Sequence, residues 1–353
     1  MTLYELQPDL TLEENYRAIT RAQIDLAIAS LSKPKDVEKG IYAARKCMKR
    51  LRGLARLFRS AMTPEDYKQA NATYRDVGRS LSDLRDAWVR IELLDNLPEK
   101  VRANPMVPLL REQFVAEYEA LKGHFLQPER YEPVIAQLEA AKQAADAVTL
   151  PLLYAKGSPF RTLEHEMRLS RRAALRLAFK VWAGRIDFET GSHECRKRVK
   201  RLWYAYTLLR PAAPELLDKA IAHYDQLGLI LGDLHDRLLL YRLIFERYGV
   251  MWRHANANLS AKEKSEIEKM FEAMTPRPVA VSVLQDHQLD VQALGKLQSF
   301  LGYNARDLFH EAYVMQNRYA EEEEVERFMG GLEALFNRYM RAEQAAPLTP
   351  EST

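Results

Sequence analysis

Cysteine is nearly missing from this chain, with only Cys47 and Cys195 among 353 residues. Both fall inside helical patterns and no CxxC occurs, so disulfide scaffolds and cysteine-based metal sites are excluded. Two buried thiols in a reducing compartment are the expectation. Glycine and proline are also sparse, at 14 and 16 residues, and long windows keep a 3.6-residue apolar rhythm, so nearly the whole chain reads as helix. No apolar run approaches the roughly 20 residues that a bilayer span needs. The opening Met-Thr-Leu-Tyr-Glu-Leu-Gln-Pro-Asp carries neither a basic nor an apolar leader segment. No membrane partner is therefore expected, and the expected location is cytoplasmic. A global excess of charge is missing too: the net is +3, so positive charge matters only where it is local. Walker loops, HExxH, GxSxG and Cys/His metal spacings are all absent. The sequence accordingly assigns no catalytic residue, cofactor or metal ligand.

What is present is one basic segment written twice. Tyr42-Ala43-Ala44-Arg45-Lys46-Cys47-Met48-Lys49-Arg50-Leu51-Arg52 returns, 151 residues later, as His193-Glu194-Cys195-Arg196-Lys197-Arg198-Val199-Lys200-Arg201-Leu202-Trp203. Between Gly40 and Ser60 stand seven Arg and Lys and no acid.

The periodicity predicts helices over 11–31, with Thr11 and Glu14 as a capping box, and over 37–60, started near Asp36. A third runs over 64–94 from Pro64 in a first turn after Thr63. Two more follow over 107–126 and 129–148, then a loop from Pro151 to Pro159. The order then restarts: Thr162-Leu163-Glu164, Arg168, Arg172, Ala173, Leu177 and Ala178 repeat residues of the first helix at the same offset. Tyr74, Gly78, Leu81, Asp83, Leu84 and Asp86 reappear 150 residues on as Tyr224, Gly228, Leu231, Asp233, Leu234 and Asp236. The expected fold is all-α: two pseudo-symmetric antiparallel helical bundles, residues 1–150 and 151–343, around a basic central groove or pore, with 344–353 a frayed tail. Residues 276–284 are the one stretch where extended chain is conceivable, and 290–342 return to helix.

On the repeated helix, Ala44, Met48, Leu51, Ala55 and Phe58 form an apolar stripe, and Arg45, Lys49, Arg52, Arg56 and Arg59 a cationic row beside it. In the second copy Cys195, Val199, Leu202, Tyr206 and Leu209 make the stripe, and Arg196, Lys200 and Arg210 the row. Lys46, Arg50, Lys197 and Arg201 flank the rows. Like charges at i,i+4 repel by a few tenths of a kcal/mol per pair. Two copies accepting that cost point to an anionic partner, the bland alternative being acids such as Asp83, Asp86, Asp233 and Asp236 on neighbouring helices. Arg17 and Arg21, with Arg161, Arg168, Arg171, Arg172, Arg176 and Lys180, would face the same groove if their helices pack beside the basic ones. A cation every three to four residues gives one charge per roughly 5–6 Å, a density suited to a long linear polyanion.

The block His/Tyr-x-x-Arg-Lys-x-x-Lys-Arg-Leu, twice, each followed by Leu-Ser/Gly-Asp-Leu-Arg/His-Asp, resembles the CHAD domain, the conserved-histidine α-helical domain. The resemblance covers roughly residues 11–250. It implies two related four-helix bundles that bind inorganic polyphosphate on a basic central surface and associate with polyphosphate granules. It further implies that Arg17, Arg21, Arg45, Lys49, Arg168, Arg172, His193, Arg196 and Lys200 line the path. Two departures stand out: Tyr42 replaces a histidine in the first block, and Arg85 occupies the position of His235. The candidate set adds Tyr42, Lys46, Arg50, Arg52, Arg56, Arg171, Lys197, Arg201 and His235. His193 is expected to strengthen binding as pH falls from about 8 to 6. His235 is expected either to touch the ligand or to rest on Asp236, and Trp88 and Trp203 to pack as core or groove wall.

The Glu164-His165-Glu166-Met167-Arg168 run superficially resembles the ExExK signature of triphosphate tunnel enzymes, but that signature belongs on a barrel strand and this window is helical. The Glu321–Glu324 run reads as a solvated helix face. A non-enzymatic polyphosphate-binding module is thus the leading reading. A helical nucleic-acid binder and a polyphosphate-processing enzyme are the alternatives. Against the former, the rows lack exposed aromatics for stacking and Asn or Gln for base edges.

Overall fold

The computed structural model describes residues 4–32, 36–255, 291–319 and 322–341. The 276–284 stretch, the 344–353 tail and the side chains of Glu321–Glu324 lie outside the described residues. Every described element is a helix or turn, so the fold is all-α.

Local chemistry sets the starts. Helix α1 (Leu12–Ser32) opens where the Thr11 backbone donates to Glu14 Oε2 at 2.8 Å and the Glu14 backbone donates to Thr11 Oγ1 at 3.2 Å, the reciprocal box read from the sequence. Helix α2 (Val37–Leu57) is capped by Asp36, whose carboxylate accepts from Lys39 N. Helix α3 (Pro64–Ser80) is capped by Thr63, with Pro64 in its first turn. The single helix expected over 64–94 is broken: α4 (Ser82–Asp95) starts after a turn at Leu81. The hydroxyls of Ser80 and Ser82 donate to the carbonyls of Val77 and Arg79 at 2.9 and 2.7 Å, and such local bonds compete with the helical ladder.

A short α5 (Glu99–Arg102) leads to α6 (Met106–Phe125) and α7 (Glu132–Asp146). The second half holds α8 (Pro159–Trp182), α9 (Phe188–Leu209) and α10 (Pro214–Ala255). Here Gly232 replaces Ser82 at the 150-residue offset, and α10 runs on without a break. The last helices are α11 (Val291–Arg318) and α12 (Glu322–Tyr339), within the 290–342 stretch expected to return to helix.

α1 packs on α2 and α7, α2 on α3, and α4 on α6. α8 packs on α9, α10 on α9 and α11, and α12 on α8. Two apolar cores result. One joins the later part of α1, α2, α3, α4 and α6 with the later part of α10 and the start of α11; the other joins the start of α1 and the end of α2 with α8, α9, the start of α10, the later part of α11 and α12. They do not part at residue 150, because α10 and α11 run through both.

Both predicted stripes are the buried ones. Met48, Leu51, Phe58, Val199, Leu202 and Tyr206 are each 2% exposed or less. Burying a large apolar side chain stabilises by about 1.5–3 kcal/mol, whereas each like-charge pair costs about 0.2–0.5. Burial therefore holds these basic helices in place despite their repulsion.

α2 and α9 cross where a Cβ on Gly53 would stand 2.9 Å from the Tyr204 Cβ and 3.2 Å from the Tyr4 hydroxyl. Glycine is what allows this approach. Gly53 and Tyr204 are themselves 151 residues apart, so the two helices meet at matching positions of the repeat.

The first residues lie over this crossing. Tyr4, 2% exposed, donates to the Arg50 carbonyl at 3.2 Å, and Leu6 N donates to the Leu208 carbonyl at 3.3 Å. From the far end, Tyr339 Oη donates to the Leu6 carbonyl at 2.9 Å and Arg341 N to the Pro8 carbonyl at 3.0 Å.

Candidate functional site

The α2–α9 crossing brings the two basic segments together. Lys49 is solvent-exposed and has no ion-pair partner among the described residues; the same holds for Lys46. The Lys49 ammonium is pushed down to about 8, first by the protein crowded around it, then by Arg45, Arg196 and Arg85, with Asp86 pulling the other way. Since its side chain stays open to water, the three cations are the firmer part of that depression. Arg196 belongs to the other copy, so cations of both halves share one local field.

Around Lys49 the arginines are held by helix walls. Arg45 donates to the Gly78 carbonyl at 3.0 Å and lies 3.5 Å from Asp86. Arg52 donates to Asn71 Oδ1 at 3.1 Å and Arg56 to the Tyr67 hydroxyl at 3.0 Å. Arg201 is lowered first by burial and next by the charge of Arg56, again across the two copies. Arg50 turns to the α1 side, donating to Gln23 Oε1 at 3.3 Å with its guanidinium 5.5 Å from the Tyr4 ring.

In the second copy Arg196 lies along α10, near where a Gly232 Cβ would be, and its Nε is buried with no partner among the described residues. Lys200 rests across Gly228, where a Cβ would come within 2.8 Å of Lys200 Cε. Its ammonium is 3.3 Å from Asp225 and 4.6 Å from the Trp203 ring. Lys197 pairs with Glu194 at 2.6 Å.

The two histidines touch. His193 Nδ1 and His235 Nδ1 are 3.2 Å apart, with ring centroids at 4.4 Å, so one ring donates and the other accepts. Burial lowers both; His235 is pushed to about 4, with His193, Arg196 and Lys197 adding to the effect. His235 thus rests on His193 rather than on Asp236. In the free chain burial therefore favours the neutral form of both rings. At the equivalent place in the first copy, the Arg85 guanidinium lies 5.5 Å from the Tyr42 ring, and Tyr42 is 50% exposed. The two departures from the repeat are therefore one exchange, a Tyr–Arg cation–π pair for a His–His pair.

The arginines of α1 and α8 have partners of their own. Arg17 donates to the Val148 carbonyl at 2.7 and 3.0 Å and pairs with Glu13, and Arg21 pairs with Asp146. These partners lie on α1 itself and at the end of α7. The face that α1 turns to α2 is taken by apolar side chains and Gln23, which leaves Arg17 and Arg21 on the α7 side. Likewise Arg168 pairs with Glu164 and Glu326, and Arg171, only 8% exposed, donates to the Tyr319 carbonyl at 3.0 Å. Arg172 is exposed. α1 and α8 do pack beside α2 and α9, the condition set for a shared groove, and these contacts show what holds Arg17, Arg21, Arg168 and Arg171 in the unliganded chain.

Sequence reasoning left three residues out of the site: Arg85, Tyr204 and Gly228. The usable signal for Arg85 was its position opposite His235 in the repeat. Cys47 and Cys195 are both buried free thiols, raised to about 11 and about 12 by burial. Trp88 packs 5.2 Å from Tyr118, and Trp203 walls the Lys200 seat. No described helix is long and apolar enough to cross a membrane. A scan against protein families matches residues 18–244 to the CHAD domain. Comparison with curated proteins gives no match.

Proposed function

Because the chain belongs to the CHAD domain family, we propose that it binds inorganic polyphosphate over the α2–α9 crossing, without turning it over, and that this binding can place it on polyphosphate granules. The observation that carries the reading is the α2–α9 crossing, where Gly53 meets Tyr204. There Arg45 and Arg85 from one half and Arg196 from the other act on the Lys49 ammonium, which makes no ion pair among the described residues and feels only Asp86 in the opposite sense. Such a cluster is unfavourable alone and is relieved by an anion that spans both halves. Arg and Lys divide the work, the forked guanidiniums holding paired phosphate oxygens and the lysines acting as point charges.

The central residues are then Arg45, Lys49, Arg85, Arg196 and Lys200, with Lys46, Arg52, Arg56, Lys197 and Arg201 extending the path. The His193–His235 pair in one copy and the Tyr42–Arg85 pair in the other flank these cations at equivalent places of the repeat. An incoming phosphate oxygen can accept from whichever histidine nitrogen is protonated. The two halves are read as pseudo-symmetric bundles, and the meeting of Gly53 with Tyr204 at the repeat offset supports that.

The test is a titration with polyphosphates of several lengths at a series of salt concentrations. Wild-type affinity should fall steeply with salt, by a slope of about 0.7 for each phosphate neutralised on a flexible strand, and orthophosphate should bind far more weakly than long chains. Arg45→Glu with Lys49→Glu, and separately Arg196→Glu with Lys200→Glu, should each abolish most binding. Folded double variants with wild-type affinity would overturn the proposal. Competition by single-stranded DNA at equal potency would favour the nucleic-acid reading instead.

A further inference from the structure

The outer side of α8 carries a pattern that polyphosphate binding does not use. Arg172, Leu175, Arg176, Phe179 and Trp182 recur at three- and four-residue steps and so share one face. That face is open, with Phe179 41% and Trp182 52% exposed. α11 lies beside it, and Tyr313 stacks on Trp182 with centroids 5.1 Å apart and ring planes within 6°. Leu175, Phe179 and Tyr313 form the apolar floor of a shallow recess of about 480 Å³, and Arg176, Lys180 and Arg185 stand around it.

This rim is fixed by the end of the helix. Gly184, at φ 65°, turns the chain in the left-handed region; its N–H donates to the Val181 carbonyl at 3.0 Å, and Arg185 N donates to the Lys180 carbonyl at 2.8 Å. The turn sets the Arg185 guanidinium 5.3 Å from the Phe179 ring. Arg176, Lys180 and Arg185 make no ion pair among the described residues.

The first half of α8 shows what such a surface takes. There α12 packs against it, with Phe336 5.2 Å from Phe160 and with Glu333 and Glu326 pairing Arg161 and Arg168. Met329, Leu332 and Phe336 are the buried anchors of α12, again three and four residues apart. One acidic amphipathic helix therefore neutralises the first half of α8. The second half presents the same mixture of apolar and cationic groups, with α11 along one side and the recess itself open among the described residues.

We propose that the α8–α11 recess is a docking surface for an acidic amphipathic helix of a partner protein, its apolar anchors entering between Phe179 and Tyr313 and its carboxylates meeting Arg176, Lys180 and Arg185. Charge complementarity and the α12 precedent favour this over a nucleic acid. Trp182 and Tyr313 already cover one face of each other, and Asn317 is the single amide lining the recess.

The probe is a fluorescein-labelled helical 18-mer with Leu and Phe at three- and four-residue steps and Glu on both flanks. Its Glu→Lys counterpart and an 18-mer of single-stranded thymidylate are the comparisons. The acidic peptide should bind the full chain and lose about tenfold or more with Trp182→Ala and with Arg176→Glu plus Lys180→Glu. The Lys peptide should not bind, and Trp182→Ala should keep wild-type polyphosphate affinity. Trp182 is a surface residue, so its variant tests the idea even if the double reversal misfolds. No acidic-peptide binding at ~200 µM, or binding indifferent to these changes, overturns the proposal. Oligonucleotide binding that Trp182→Ala abolishes would overturn it in favour of a nucleic-acid surface.

Discussion

Two glycines at equivalent places, Gly78 and Gly228, allow the polyphosphate path to be perturbed with almost no change of chemistry. A Cβ at 228 would stand 2.8 Å from Lys200 Cε and 2.9 Å from its Nζ; a Cβ at 78 would meet only the Met48 Cβ, at an ordinary 3.6 Å. Gly228→Ala must therefore push the flexible end of Lys200 off α10. Gly78→Ala should leave the Arg45 bond to the Gly78 carbonyl in place. Alanine in a helix interior gains about 0.8–1 kcal/mol over glycine. At 78 nothing opposes the gain, and the melting temperature should rise by about 1–1.5 °C. At 228 the half-open Lys200–Asp225 pair, worth about 0–1 kcal/mol, and the contact with Trp203, worth about 0.5–1, are lost. Stability there should stay within about 1 kcal/mol of wild type. Binding should separate the two variants cleanly. Displacing the Lys200 ammonium from its place on the path should lower the salt slope by up to about 0.7 for Gly228→Ala and leave it unchanged for Gly78→Ala. Calorimetry and a salt-resolved titration read both quantities. If Gly228→Ala keeps the wild-type slope and affinity, the path does not cross α10 and the placement of Lys200 on it is wrong.

Bound polyphosphate should restore Lys49 toward its ordinary value, so affinity should weaken as pH rises from about 7 to about 10. Lys49→Arg, which stays charged, should flatten that profile, and equal profiles for both proteins would refute the coupling. His235, held at about 4, has a folded value below its unfolded one. Its share of stability is therefore complete above about pH 6.5 and lost as pH falls toward 4. His235→Gln should narrow the difference in melting temperature between pH 7 and pH 5. Gly53→Ala should cost about 1–3 kcal/mol by overpacking the crossing against the Tyr204 backbone-proximal Cβ, seen as a melting temperature several degrees lower.

Much of the fold could be read directly. The Thr11/Glu14 box, the helix starts at Asp36 and Thr63 and the two apolar stripes are local patterns: the box forms, both helices begin there, and both stripes are buried. Where side-chain bonds compete with the ladder, reading failed: nothing in the apolar rhythm of 64–94 marks Leu81 as a break. At the site, the repeat located the central cations because their spacing is a property of one helix. It could not orient Arg17, Arg21 or Arg168, whose partners Val148, Asp146 and Glu326 come from remote segments. The two departures, Tyr42 and Arg85, were legible singly; that they touch is a tertiary fact.

The hydrogen bonds from Tyr339 and Arg341 back to Leu6 and Pro8 link groups more than 330 residues apart. During synthesis at about 5–20 residues per second, the opening segment waits roughly 20–70 s for that partner to appear. Until then Tyr4 can reach Arg50 and later Tyr204, but the clasp over the α2–α9 crossing stays half made. The crossing is thus among the last parts of the nascent chain to be secured, although α2 is among the first to be translated. Truncation shortly before Tyr339 should leave helices that form on schedule around a centre that does not close.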